Sequence, residues 1–530
     1  MSPDTRRREL LVVAAVAALL PALWLAKPWH IDEPFFLAIA RQILSDPRRP
    51  LAFAFDWYGT LVPMASINNT PPLWGYVLAG TWALTDGGEA AMRLLLLPLN
   101  AAAALGAYLL AARFLRRPLL PTLILIASPA WSLPLQHLMP EKLLAAFAFP
   151  GLYALVRGVD ERDGRWFWGS ALLLALALLS KYNAVLLLPP ALVYAWRGGA
   201  GRTRTALWAA LALSGAAVYA LADASGAALR AAAAVTEASA RLPTSAWTHK
   251  SRSLLAFLGG CGLVTAFWPW LLCGRRAAAL ALLGAAALFL PALDLLPGVR
   301  AADRLLGLFL AAGAALGLWR ILLEARGSKA GAFWAVWAFG GLLLQSLYWS
   351  VMARFTLFLL PPLVFGLAAQ LEERWSQRRL AALHAAGLAA VLAFGAGLSA
   401  VDYRYAAAQK EASVEAARLV GEGRRVFFTG HWGLQFYMER AGARALEKPA
   451  GWNVLRRGDV AVVPAVNSNI LRPSRPMKAD VRVFSVGHRL PLRLDSAGAS
   501  DAGFHCDVTG FLPFAFSREP LDELSFVEIL

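Results

Sequence analysis

The chain has 530 residues, 58% of them hydrophobic and only 16% charged, with a net charge of +17. That is too apolar and too charge-poor for an ordinary soluble domain, in which about a quarter of residues are charged. The positive balance alone would fit a nucleic-acid binder, but the basic residues form no single patch, and nucleic acid is set aside as a partner.

Apolar runs predict thirteen membrane spans, at 10–26, 89–112, 118–135, 140–157, 166–180, 182–196, 205–222, 253–273, 277–296, 303–322, 331–349, 355–371 and 380–400. Basic clusters fall in every second loop: Arg6-Arg7-Arg8, Arg113/Arg116/Arg117, Arg157/Arg162/Arg165, Arg197/Arg202/Arg204, Arg275/Arg276, Arg320/Arg326/Lys329 and Arg374/Arg378/Arg379. The positive-inside pattern puts the N-terminus in the cytoplasm, and an odd number of spans puts the C-terminal region outside. Some of the basic excess also suits anionic lipid headgroups. The N-terminal run has the basic start and apolar stretch of a signal peptide, but further spans and an acidic pair follow it, so it reads as an uncleaved first span. Cys261, Cys273 and Cys506 have no metal or disulfide spacing. The expected organisation is a mainly α, polytopic membrane domain over 1–400 and a small extracytoplasmic α/β domain over 401–530.

The first outside loop, 27–88, opens with Lys27-Pro28-Trp29-His30 and the pair Asp32-Glu33. Apolar Phe35, Phe36, Ile39, Ala40, Ile43 and Leu44 share one helical face, which predicts a helix on the membrane surface over 34–44. Asp46-Pro47-Arg48-Arg49-Pro50 stops it, and Phe55-Asp56-Trp57-Tyr58-Gly59-Thr60 and Asn68-Asn69-Thr70-Pro71-Pro72-Leu73-Trp74 follow. A second outside loop, about 223–252, carries an Ala-rich helix with Arg230, Glu237 and Arg241, placed to act as a lid. In the tail, 425–430, 459–464 and 481–486 read as strands and 431–440 as a helix.

Acidic groups at the outside ends of spans are the candidates for chemistry. Asp32 and Glu33 follow the first span; Glu141 and Lys142 open the fourth, in His137-Leu138-Met139-Pro140-Glu141-Lys142. Carboxylates beside a bilayer are costly unless solvated or used. Arg93, Lys181, Arg300, Arg304 and Arg354 share their predicted level. A carboxylate can take a proton from an attacking hydroxyl, and cations can neutralise a departing phosphate. Each group also has a plainer role. Asp32-Glu33-Pro34 makes a good helix start, and so does Glu141 after Pro140. Lys181 and Arg354 can snorkel to headgroups. Arg93 can pair with Glu89 one turn away, and His431 reads as structural. Most of the 20 tryptophans mark interfacial belts; Trp57 is the candidate for a sugar site.

Asp32-Glu33-Pro34-Phe35-Phe36-Leu37-Ala38-Ile39-Ala40-Arg41, Pro71-Pro72-Leu73-Trp74 and Arg93 resemble the first outside loop of GT-C membrane glycosyltransferases. The resemblance is to the bacterial family-39-like enzymes akin to protein O-mannosyltransferases and the lipid A aminoarabinose transferase. Ser128-Pro129-Ala130, Met139-Pro140-Glu141, Ser180-Lys181-Tyr182, and Arg354 with Pro361-Pro362 fit in order, and the likeness covers about residues 10–400. Gly430-His431-Trp432-Gly433-Leu434-Gln435-Phe436-Tyr437 is similar to the outer domain of the same group. The resemblance implies a GT-C fold in a bacterial inner membrane and a polyprenyl-phosphate-linked sugar as donor. It also implies a hydroxyl-bearing acceptor outside the membrane and inversion at the sugar carbon. It maps the catalytic base to Asp32, with Glu33 and Glu141 assisting. Lys181, Tyr182, Arg93, Arg304, Arg354, Asn69, Lys142 and Trp57 become the substrate-binding set. Glu141 stands where the family often has Asp, and Thr70 where the aminoarabinose enzymes have a basic residue. A divalent metal, Mg or Mn, is an open expectation, with Asp32 and Glu141 as its ligands.

Two other classes remain. A transporter or lipid flippase would show internal repeats and binding groups near the bilayer midplane. A non-catalytic assembly factor would need no cavity between Asp32 and Glu141.

Overall fold

The computed structural model describes the whole chain except residues 1, 58, 223–225, 227–243, 290–299 and 469. The expected lid helix with Arg230, Glu237 and Arg241 therefore lies outside the described residues, as does the end of the expected span 277–296. The rest is mainly helical, with a five-stranded sheet near the C-terminus.

Among the described residues, six helices are long and apolar enough to cross a membrane, or eight if each of two bent pairs is one span. Several expected spans are shorter than a crossing. The stretch 182–196 is a 3-10 turn, Tyr182–Leu187, followed by the ten-residue helix Leu188–Arg197. Ten residues rise about 15 Å, half a hydrocarbon core. One bent pair, Leu119–Ala127 and Pro129–Gln136, turns by 62°. Pro129 forces Ser128 out of the helical region, to ψ 147°. Helices Thr244–Gly262 and Ala301–Glu324 approach so closely that a Cβ on Gly259 would lie 2.2 Å from the Leu310 carbonyl oxygen. Small residues at such crossings let membrane helices touch backbone to backbone.

Several basic clusters from alternate loops meet at one end of the helices. Arg113 pairs with Asp160 and Glu161, and Lys329 reaches Asp160. The backbone N–H groups of Arg116 and Arg117 donate to Glu372, and Arg197 donates to the Ala325 and Ser328 carbonyls. Asp32, Glu141, Lys181 and Arg354 interact in a separate group, and Glu33 pairs with Arg93.

The segment 27–88, expected to be the first outside loop, folds onto the helices. Its surface helix, Glu33–Ser45, buries Phe35, Phe36, Leu37, Ile39, Ala40 and Ile43, close to the expected 34–44. A short hairpin, Ala54–Asp56 with Leu61–Pro63, and a second helix, Leu73–Thr85, complete it.

The expected domain boundary at 400/401 falls inside one continuous helix, Gln377–Gly421. Its 45 residues reach about 68 Å, twice what a bilayer core needs, and it carries the chain directly into the C-terminal region that is expected outside. Expected strands appear at Val426–Phe428, Val460–Pro464 and Ala479–Val486, and the expected helix at Trp432–Arg440. Asp522–Ile529 and the two-residue Arg444–Ala445 complete the sheet. Its order is 444–445, 426–428, 460–464, 522–529, 479–486, with the first three parallel and the last two added antiparallel. Alternation along the strands serves two cores. Phe428 and Val462 join the cluster continuous with the membrane helices, while Phe427 and Ala461 pack on the far face with Leu446, Trp452 and Ile529. The outer region is thus docked on the membrane domain by shared core.

Candidate active site

Helix beginnings set the site. Asp32 precedes the surface helix Glu33–Ser45, and Glu141 opens the helix Glu141–Asp160 after Pro140. Lys181 sits at the extended break between Gly164–Ser180 and the Tyr182–Leu187 turn. Arg354 lies on the short helix Ala353–Thr356. These four side chains meet. The Arg354 guanidinium donates to Asp32 Oδ2 at 2.8 Å and lies 3.7 Å from Glu141 Oε1, which also accepts from Lys181 Nζ at 2.6 Å. Arg354 therefore bridges carboxylates far apart in sequence, and Glu141 Oε2 is buried with no hydrogen-bond partner.

They line a cavity of about 940 Å³. Asn69, Trp57, Tyr182, Tyr348 and His431 share its polar end with Asp32. Its other side is apolar and runs between membrane helices, lined by Leu144, Leu178, Leu213, Ala216, Leu344 and Phe358. Asn69 donates to the Tyr348 hydroxyl at 3.5 Å, and Trp57 meets His431 edge to face at 4.6 Å.

The residue before Asp32 explains how the loop serves two sides. Ile31 adopts φ 50°, a left-handed conformation that is strained for a β-branched residue. It turns the chain so that His30 is fully buried while Asp32 keeps 23% of its side chain exposed, toward the cavity. Trp432, beside His431, is also left-handed, at φ 62°. Partial burial works to raise the Asp32 carboxyl, but Arg354 outweighs it, with His431 and Lys181 adding to the pull, and holds the group below the ordinary carboxylate range. Burial pushes the His431 imidazole down to about 4, so it is neutral at neutral pH despite the nearby Asp32.

Other expected site residues stand elsewhere. Glu33 is fully buried and does not line the cavity. It pairs with Arg93 at 2.8 Å and accepts the His30 and Leu138 backbone N–H groups at 2.6 and 2.8 Å. Arg93 also donates to the Lys27 and Gln136 carbonyls and stacks over Trp29. Its expected partner Glu89 instead takes Lys410 at 2.9 Å and the Tyr437 hydroxyl. Glu33 and Arg93 are therefore a buried strut beneath Asp32, their capacity used on each other and on backbone. Lys142 is buried near this pair, away from the cavity lining. Arg304 opens the helix Ala301–Glu324 near Asp501 and is not among the cavity residues. The capping reading of Asp32 holds for its position only: its side chain makes no cap hydrogen bond and turns to Arg354.

Sequence reasoning took His431 as structural and passed over His505 and Tyr348, and all three line the cavity. It also passed over a buried hub behind the wall. There Lys27 pairs with Asp402, while His137 Nε2 lies 2.8 Å from Lys27 Nζ and 3.0 Å from Asp402 Oδ2. His30 and His505 approach the other carboxylate oxygen. Asp32 and Glu141 do not fit the expected divalent metal: the two carboxylates already face two cations, Arg354 and Lys181, and a dication would enter a balanced set.

The sequence profile of the family described as dolichyl-phosphate-mannose-protein mannosyltransferase matches residues 69–234. No curated protein matches the chain. Among solved structures, ArnT from Cupriavidus metallidurans bound to undecaprenyl phosphate is similar at 17% identity and a TM-score of 0.45, over 85% of this chain and 92% of that one. AglB from Archaeoglobus fulgidus, an archaeal oligosaccharyltransferase in complex with an inhibitory peptide and a dolichol-phosphate, is similar at 14% identity and a TM-score of 0.47, over 85% and 65%. The arabinosyltransferase EmbB from Mycobacterium smegmatis follows at 16% and 0.32, over 94% and 49%. The profile match spans Asn69, Arg93, Glu141, Lys142, Lys181 and Tyr182, and over that segment, about a third of the chain, the sequence is similar to the dolichyl-phosphate-mannose-protein mannosyltransferase family.

Proposed function

We propose that the cavity moves a sugar from a polyprenyl-phosphate donor to a hydroxyl of an acceptor outside the membrane. The observation that carries the reading is the shape of the lining: two carboxylates and two cations at one end, apolar side chains between membrane helices along the rest. A lipid-phosphate sugar has the same division. Its prenyl chain suits the apolar side, its phosphate suits Arg354 and Lys181, and its sugar suits Trp57, Asn69, Tyr182 and Tyr348. The chain then sits in a bacterial inner membrane with its N-terminus inside and the cavity opening outside, which agrees with the basic clusters at the opposite end.

In this reading Asp32 accepts the acceptor hydroxyl proton as that oxygen bonds to the anomeric carbon. The bond from that carbon to the phosphate oxygen breaks on the far side, with inversion, and polyprenyl phosphate leaves. Arg354 and Lys181 meet the charge that grows on it. A carboxylate tied to a guanidinium is a weak base, so donor binding has to draw Arg354 toward the phosphate. Glu141, already 3.7 Å from Arg354 Nε, gives the guanidinium a second anchor during that move. Glu33 and Arg93 fix the loop that carries Asp32 and do not touch substrate.

The test is transfer by the purified protein from a polyprenyl-phosphate sugar to envelope extracts, followed by Asp32→Asn. Loss of a positioned base lowers turnover about 10²–10⁴-fold; unchanged turnover removes Asp32 from the chemistry. Lipid or solute flux in proteoliposomes that survives loss of Asp32, with no transfer, would favour a transporter. Glycan and lipid mass spectrometry of a deletion strain identifies the sugar and distinguishes a glycolipid, polysaccharide or protein acceptor.

A further inference from the structure

Behind the cavity wall three distant parts of the chain converge on one carboxylate. His30 comes from the first outside loop, Asp402 from the long helix and His505 from the outer region. The two Asp402 oxygens face different surroundings. Oδ2 is taken by the Lys27 ammonium and by His137. Oδ1 faces His505 Nε2 at 3.1 Å and His30 Nε2 at 3.3 Å. The three ligand atoms of His30, Asp402 and His505 lie within 4.8 Å of one another.

On the Oδ1 side the polar groups are poorly satisfied. His30 is fully buried, yet its Nδ1 makes no hydrogen bond and its Nε2 meets only Asp402 Oδ1, at 3.3 Å. Asp495 Oδ2, 3.8 Å from His505 Nε2, is buried and has no hydrogen-bond partner either. Buried polar atoms without partners are rare and call for an explanation.

We propose that His30, His505 and Asp402 bind a divalent metal ion of the zinc class, with Asp495 beside it. Two imidazoles and a carboxylate suit zinc and its neighbours rather than magnesium or calcium, which favour oxygen-only shells. In a tetrahedral site with bonds of about 2.0–2.1 Å, ligand atoms stand about 3.4 Å apart. Both Asp402–histidine separations are already near that value, so binding needs little beyond drawing the two imidazoles together. The ion ties the first outside loop, the long helix and the outer region into one frame behind Asp32. It is separate from the Asp32–Glu141 group and does not depend on the reaction proposed there.

The test is the metal content of the full-length protein, purified in detergent without chelators and with zinc in the growth medium. About one zinc per chain is expected, retained in Asp32→Asn and lost in both His505→Ala and His30→Ala. Stripping the wild-type protein with 1,10-phenanthroline lowers its unfolding temperature, zinc restores it, and His505→Asn shows neither effect. A wild-type chain that takes up no zinc from a zinc-supplemented medium, or two histidine variants that keep it, overturns the proposal. Because the readout is metal and melting temperature, it stands or falls whatever the transfer assay shows.

Discussion

Adjacent carboxylates acquire opposite roles here from one backbone turn. Asp32 opens to the cavity beside Arg354, while Glu33 is fully buried against Arg93. Breaking a buried pair leaves an uncompensated charge and costs about 3–5 kcal/mol. Arg93→Met should therefore lower the unfolding temperature in detergent sharply, with activity lost through the fold. Asp32→Asn should unfold within a degree or two of the wild type, because its position tolerates water. Equal melting losses in the two variants would contradict this division. Asp522, in the outer sheet, gives a pH dependence. Burial pushes its carboxyl up to about 7, against the Ala465, Val466 and Glu523 N–H groups that it accepts. The folded state then holds a proton that the unfolded chain has released by about pH 4. Its contribution is present below that value and is lost as pH rises toward 7, at most about 1.4 kcal/mol per unit. Asp522→Asn should remove this slope, so that the variant gains on the wild type between pH 5 and pH 8 in chemical denaturation. A constant difference across that range would count against it.

At the level of elements, the helix Trp432–Arg440 grips the first outside loop. A Cβ on Gly433 would stand 2.1 Å from the Trp29 carbonyl oxygen, and the Trp29 N–H donates to the Tyr437 hydroxyl at 2.6 Å. Gly433→Ala should push the helix away from the loop. Transfer should fall at least tenfold, and protease cleavage near residues 422–430 should speed up, while the membrane helices stay folded. Normal activity in this variant would mean that the helix is not a tight clamp. Such contacts bear on what could be read from sequence. The surface helix over 34–44 was legible because its apolar residues repeat on one face, and the strands at 426–428, 460–464 and 479–486 were legible as β-branched and aromatic runs. The continuation of the last membrane helix to Gly421 was not, since the change from apolar to mixed composition after residue 400 looked like an end although nothing there breaks a helix.

Across the whole molecule, Asp32, Glu141, Lys181 and Arg354 could be brought to one level because each sits at an end of a helix or apolar run. The Glu33–Arg93 strut could not be separated from them, because the same level holds both the groups that face the cavity and those packed beneath it. The hub around Asp402 was invisible for another reason. Its members come from positions 27, 30, 137, 402 and 505, and no local spacing announces a ligand set assembled by folding.

The left-handed turn at Ile31 also has a mechanical meaning. With His30 facing the Asp402 hub and Asp32 facing the cavity, the turn is the pivot of a short lever. The chain segments around Gly433 and His505 hold the His30 arm. Contacts made on the His30 arm therefore help to set where Asp32 stands in the cavity, although the two side chains face different surroundings.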